Sequence, residues 1–183
     1  ANEQGAVDAG CVPDRLPGHQ PVTNRAACDR IAEEWGITPP STPGKNAREL
    51  LAAFGDGIRG ALVVGENPAI SKRDSEWLQE RLDGLDALVV VDLVSNRTTE
   101  HADVVLPAAA GVEKSGTLTN LERRVQRFPR AAEPPGEARP NWKILRVLGN
   151  ELGVDGFDYF AAADVRRELK EQCREIRLDN TAS

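Results

Sequence analysis

The sequence has no methionine and few cysteines, histidines or aromatics, and each shortage narrows what it can be. With no Met in 183 residues there is no start residue, and the opening "ANEQGAVDAGC" reads as mid-pattern. The expectation is a piece of a longer chain, with an upstream signal peptide left open. Cys11, Cys28 and Cys173 stand apart, without CxxC or Cys/His ligand spacing. That offers no cysteine metal-site pattern and suits structural or incidental thiols in a reducing compartment, so a cytoplasmic location is expected. The two histidines, His19 and His101, read as exposed or hydrogen-bonded structural residues. No apolar run approaches the roughly 20 residues a membrane helix needs. Basic residues are also short, 23 against 29 acids. The resulting charge of −6 argues against nucleic acid as a partner.

What is present is ordinary soluble composition, 40% hydrophobic and 28% charged, in a chain long enough for one sizeable core. Residues 1–22, rich in Gly and Pro, read as loop. Thr23 or Asn24 caps a helix with Ala27, Ile31 and Trp35 on one face, ended by Gly36. "ITPPSTPGKN" is a connection without the spacing of a phosphate-gripping loop. Asn46 caps "ARELLAAFG", with Leu50, Leu51 and Phe54 inward. Gly55, Gly57 and Gly60 match GxGxxG, but they follow a helix and precede a strand. A dinucleotide fingerprint needs the reverse, so they read as a helix cap and turn. "GALVVG" and "DALVVVDL" are apolar enough for buried parallel strands, and "DVVLP" is a third. Between the first two lies "DSEWLQERLDG", a helix capped by Asp74 or Ser75, with Trp77, Leu78, Leu82 and Leu85 toward the core. "TTEHA" makes a short helical turn. "GTLTNLERRVQR" starts as a strand and then concentrates Arg at 123, 124, 127 and 130. It reads either as a surface segment with local ion pairs or as one lying over an anionic ligand or another domain. "NWKILRVLGNELG" and "AADVRRELKEQCREI" are amphipathic helices.

This alternation predicts an α/β fold, a Rossmann-like three-layer α/β/α domain with a mainly parallel sheet. Residues 1–183 form a single domain, with a core at 23–153 and a helical segment at 154–183. Ligands of open parallel sheets bind beyond the carboxyl ends of the strands. Those ends are Gly65-Glu66-Asn67-Pro68, Asp92-Leu93 and Pro107-Ala108-Ala109. Gly65 admits close backbone approach. Asn67 offers donor and acceptor, Ser71 a hydroxyl, and Asp92 a carboxylate for a diol or amino group. Ala108 and Ala109 are small enough to admit a flat ring. The crevice suits a nucleotide-like molecule. The same residues also suit structural roles, Asn67-Pro68 as a turn and Asp92 as a cap.

"GENPAIS", "VVVDLVSNRTTEHADVVLPAAAGVEKSGTLTNLERRVQR" and "PPGEARPNWKILRVLGNELG" resemble the molybdopterin oxidoreductases of the dimethyl sulfoxide reductase superfamily, foremost formate dehydrogenase alpha subunits and then assimilatory nitrate reductases. The opening is similar to that family's Gly-Ala-x-Asp-x-Gly-x-x-Pro loop. The resemblance implies a cofactor-binding domain of a larger catalytic subunit. It implies that the parent holds molybdopterin guanine dinucleotide with molybdenum or tungsten, and a 4Fe-4S cluster on another segment. It also implies that the catalytic Arg falls upstream of Ala1 and a further cofactor-binding domain beyond Ser183.

Carried onto this chain, the resemblance assigns cofactor contacts to Gly65, Glu66, Asn67, Ser71, Val91, Asp92, Leu93, Ala108 and Asn141, with no catalytic residue and no metal ligand. Val91 stands where relatives often have Gln, leaving its backbone to contribute. Asn141 stands in "RPNW" where relatives usually have Asp; a carboxylate accepts two guanine N–H bonds, whereas an amide offers one acceptor oxygen. The implied partners are the remaining domains of the subunit and electron-transfer subunits, and the piece alone is expected to be catalytically inert. Two other parents fit similar text: the large iron–sulfur subunit of respiratory complex I, in a structural role, and an assimilatory nitrate reductase.

Overall fold

The protein is represented by a computed structural model that describes residues 2–71, 75–120, 122 and 124–173. In chain order the elements are α1 (Glu3–Asp8), β1 (Arg15–Leu16), β2 (Gln20–Pro21), α2 (Arg25–Trp35), α3 (Ala47–Ala52), β3 (Gly60–Val64), α4 (Pro68–Ser71), α5 (Ser75–Asp83), β4 (Ala87–Asp92), β5 (Val104–Pro107), β6 (Gly116–Thr119), β7 (Val125–Phe128), α6 (Asn141–Glu151) and α7 (Ala162–Gln172). Single 3-10 turns lie at Thr99–His101 and Gly111–Glu113. The chain packs as two compact units. One comprises Ala1–Gly44, Ser115–Arg130 and Arg146–Ser183; the other comprises Lys45–Lys114 and Ala131–Leu145.

In the first unit the segment read as loop is more ordered than its composition implies. It contains α1 and a small hairpin pairing Arg15 with Pro21 and Leu16 with Gln20. Gly18 (φ 79°) and His19 (φ 62°) make the reversal in left-handed conformations. Asn24 caps α2 by accepting the Ala27 N–H at 3.4 Å, and Gly36 (φ 68°) ends it. Leu16, Val22, Ala27, Cys28 and Ile31 form a core cluster. Trp35, expected inward, is 40% exposed at the last turn of α2. The Arg-rich stretch is the loop and second strand of a β6–β7 hairpin, with Thr119 opposite Val125 and Gly116 opposite Phe128. A Cβ at Gly116 would lie 2.6 Å from the Phe128 ring, so a larger residue there would have to displace that ring.

The second unit carries the parallel sheet, ordered β3-β4-β5. Val64 lies beside Val91, and Asp92 beside Pro107. Asn46 closes a capping box at the start of α3: its Oδ1 accepts the Arg48 and Glu49 N–H groups, and the Glu49 carboxylate accepts the Asn46 N–H. Phe54, Ala69, Leu82, Leu88 and Val90 make the core, flanked by Leu51, Ile58, Ala61, Val63 and Leu85. Leu82, Leu88 and Val90 are enclosed, and each contributes about 1.5–3 kcal/mol through burial. Gly55 (φ 73°) lies against the Gly84 backbone, where a Cβ would sit 3.0 Å from the Gly84 carbonyl oxygen. Close packing of two chain segments therefore explains that glycine without any phosphate.

Three expectations change here. β3 is an edge strand rather than a buried one, and Leu62 (43%) and Val64 (38%) are exposed on the face opposite Ala61 and Val63. Val104 and Val105 on β5 are exposed as well. Leu50 faces outward, and Trp77 lies half-exposed with the Arg81 guanidinium 5.7 Å from its ring centroid. Of the two residues expected to cap α5, Asp74 lies outside the described residues, as does the side chain of Ser75.

Candidate functional site

The rim of the parallel sheet is built by hydrogen bonds that run just past the strand ends. Gly65 N–H donates to the Val91 carbonyl at 2.8 Å, and Ala108 N–H donates to the Asp92 carbonyl at 2.9 Å. Beyond β5 the order continues. Arg139 N–H donates to Pro107 O (3.0 Å), and Ala109 N–H donates to Arg139 O (2.8 Å), in a parallel bridge of Ala108 with Arg139. Four segments thus run in the same direction and end side by side at Gly65, Asp92, Ala108 and Arg139. Two residues later Asn141 opens α6.

Gly65 (φ 63°) turns the chain out of β3, and nothing lies within 4 Å of where a Cβ would project. Glu66 follows it, exposed. Asn67 precedes Pro68, the first residue of α4, where proline's fixed φ and missing N–H are tolerated. The Asn67 Oδ1 accepts twice, from Thr98 Oγ1–H at 2.8 Å and from Thr98 N–H at 3.3 Å. The sequence offers Asn67 as both donor and acceptor; its oxygen is already used, so its Nδ2 donors are what it can present. The side chain of Ser71 lies outside the described residues.

Asp92 is fixed at both oxygens. Oδ1 accepts Leu93 N–H at 2.6 Å, and Oδ2 accepts Asn96 Nδ2–H at 2.7 Å. Each oxygen keeps a second lone pair, so the carboxylate remains an acceptor. Asp92 makes no bond to the 3-10 turn; Asn96 holds its start, its Oδ1 receiving Thr98 N–H (2.9 Å) and Thr99 N–H (3.2 Å). Val91 buries its side chain, and its carbonyl holds Gly65, so its backbone serves the sheet first. Leu93 is 55% exposed at the mouth. Ala108 (7%) and Ala109 (0%) are buried against protein, which leaves Ala109 unable to face a ring. Asn141 Oδ1 is buried and has no hydrogen-bond partner, a condition it shares with Arg146 Nε in the same helix.

Residue reading missed Asn96 and Thr98. Thr98 is fully buried, and its Oγ1 also accepts the Ala69 N–H at 3.2 Å. "SNRTT" carries the signal of a capped turn, but the reach from Thr98 back to Asn67 is set by the sheet. The Arg-rich hairpin belongs to the other unit. Arg123 lies outside the described residues, and the Arg124 and Arg130 backbones are held by Asn120 Oδ1 (2.8 Å) and Ser115 Oγ (3.0 Å). Groups with shifted ionisation also lie in that unit. Burial and the 2.5 Å bond to Glu168 push the Tyr159 phenol up, and burial pushes the Cys173 thiol up. Backbone N–H groups of Ala161 and Phe160 and the Arg167 guanidinium hold the Asp164 carboxyl below its usual range. Among the described residues no group of three or more His, Cys, Asp or Glu could hold a metal, and no helix is long and apolar enough to cross a membrane.

Comparison with known proteins gives a consistent result. The family model described as molybdopterin oxidoreductase matches residues 9–151. The chain is 39% identical to the probable oxidoreductase YjgC of Bacillus subtilis, over 91% of this chain and 17% of that protein. It is 38% identical to the F420-dependent formate dehydrogenase subunit alpha of Methanocaldococcus jannaschii, over 96% of this chain and 26% of that protein. It therefore spans about a sixth to a quarter of the curated relatives it matches. Acetylene hydratase from Pelobacter acetylenicus superposes with a TM-score of 0.58 at 18% identity, over 81% of this chain and 23% of that one. This last likeness shows the fold alone.

Proposed function

The chain belongs to the molybdopterin oxidoreductase family, and from that premise we propose that it forms one wall of the cofactor cleft in a larger molybdenum- or tungsten-dependent oxidoreductase subunit. The reading rests on one observation. Four parallel segments end together and leave unspent hydrogen-bonding capacity at Asn67 Nδ2, the Asp92 carboxylate and Asn141 Oδ1. A buried acceptor without a partner costs about 1–3 kcal/mol, and a ligand N–H recovers it. The residues present fit a pterin–guanine dinucleotide. Gly65 admits its phosphates to the backbone, Asn67 donates to an acceptor oxygen, Asp92 accepts from hydroxyl or amino groups, and Asn141 accepts one N–H of the base edge. Glu66, Leu93 and Ala108 complete the proposed lining, and Ser71 and Val91 are assigned to it on the family resemblance alone.

The bound metal centre would supply two-electron redox chemistry; this chain's residues bind and orient. Formate oxidation to carbon dioxide is the reaction we favour for the whole subunit, since relatives covering over 90% of this chain are named formate dehydrogenases. A 4Fe-4S cluster, electron-transfer subunits and a cytoplasmic location belong to the same proposal.

The test is Asp92→Ala and Asn67→Ala in the full-length subunit, with pterin and metal per polypeptide measured after purification. We expect each to lower both at least tenfold. Unchanged pterin and metal in both variants overturns the reading, and an unsubstituted subunit free of metal and pterin favours a structural parent.

A further inference from the structure

We infer that Asn96 and Thr98 are positioning residues that fix, from one turn, the orientations of both Asn67 and Asp92. The inference rests on the cofactor-rim reading above and adds residues to it that touch no ligand themselves. Thr98 is 0% exposed. Its hydroxyl donates to Asn67 Oδ1 at 2.8 Å and accepts from Ala69 N–H at 3.2 Å, so both hydroxyl roles are committed in one direction. Its backbone N–H lies between Asn67 Oδ1 (3.3 Å) and Asn96 Oδ1 (2.9 Å). With both lone pairs of Asn67 Oδ1 engaged, the amide can adopt only the orientation that turns Nδ2 away from Thr98.

Asn96 performs the second half. Its Oδ1 holds the Thr98 and Thr99 N–H groups, and its Nδ2 donates to Asp92 Oδ2 at 2.7 Å. Thr99 Oγ1 locks the Asn96 backbone, accepting its N–H at 2.8 Å and donating to its carbonyl at 2.7 Å. A continuous chain of hydrogen bonds therefore runs from Asn67 through Thr98 and Asn96 to Asp92. One end presents a neutral donor, the other an anionic acceptor, and neither can rotate independently. Such a pair selects a ligand bearing an acceptor oxygen beside hydroxyl or amino donors. Pre-set orientation also removes a cost that binding would otherwise meet.

The experiment compares Thr98→Val, Thr98→Ser, Asn96→Ala, Asn67→Ala and the Thr98→Val/Asn67→Ala double variant in the full-length subunit. Retained pterin and metal are measured beside thermal unfolding. Thr98→Val keeps the shape and loses the hydroxyl, and should cut pterin content at least tenfold. Thr98→Ser keeps the hydroxyl and should stay within twofold of the unsubstituted subunit. The double variant should be no lower than Asn67→Ala alone, because Thr98 acts through Asn67. Should Thr98→Val fail to fold, Asn96→Ala decides, with at least a threefold fall expected. If Asn67→Ala loses pterin while Thr98→Val and Asn96→Ala keep it, the positioning role is overturned and the rim reading stands. If Asn67→Ala itself keeps pterin, the rim assignment of Asn67 fails first. A Thr98→Ser variant as depleted as Thr98→Val also overturns the inference, since packing would then be the cause.

Discussion

The two ends of the parallel sheet treat their polar groups in opposite ways. At the amino end every charge named below is matched within the protein. Arg59 pairs with Asp86, and the Asp86 N–H donates to the Arg59 carbonyl at 2.7 Å. Asp103 accepts the Leu88 N–H at 2.7 Å and returns its own N–H to Leu88 O at 2.9 Å. His101 Nδ1 meets Asp83 Oδ1 at 2.5 Å. At the carboxyl end Asn67 and Asp92 are held just as firmly, yet Asn67 keeps its donors and Asp92 its outer lone pairs, while Asn141 has a buried oxygen with no partner. Rigid side chains with capacity left over distinguish a recognition surface from a structural seam.

Substitutions at the two ends should therefore separate binding from stability. The largest effect is expected from Gly65→Val. Its φ of 63° suits glycine and there is open space for a side chain, so folding should lose about 1–2 kcal/mol from backbone strain alone. Pterin retention in the full-length subunit should fall much further, at least tenfold; a matched fall in stability and retention would erase the contrast. Next is Asp103→Ala, which strands the Leu88 N–H at the amino end. Denaturant unfolding should show a loss of about 1.5 kcal/mol with pterin content unchanged. A drop in pterin content would break the comparison. The smallest effect belongs to Arg59→Ala, whose side chain is 79% exposed. It should cost less than about 1 kcal/mol, and the cost should vanish in high salt, measured by repeating the melts with added sodium chloride.

Local chemistry was legible in the sequence where one segment decides it. Asn24 and Asn46 announce helix starts because a cap is a short-range bond. "DALVVVD" yields β4 because an apolar run flanked by acids has few alternatives. "GALVV" is equally apolar, and nothing in it says that β3 lies at an edge; position in a sheet depends on which strands pair. Of the β6–β7 hairpin only the first strand was legible, because four residues of alternation beside several Arg make too weak a period for the second. At the rim, the strand-end rule and the family resemblance both pointed to Asn67 and Asp92. Only the folded chain shows that Asn67 spends its oxygen on a threonine 31 positions away.

The turn between Asp92 and Thr98 also sets a limit on length variation. Surface loops usually tolerate insertions and deletions. This one spans a fixed interval, since Asn96 must reach back to Asp92 while Thr98 reaches across to Asn67. Adding or removing a single residue there would throw both ends out of phase together, so variation in chain length should be absorbed in the neighbouring connections instead.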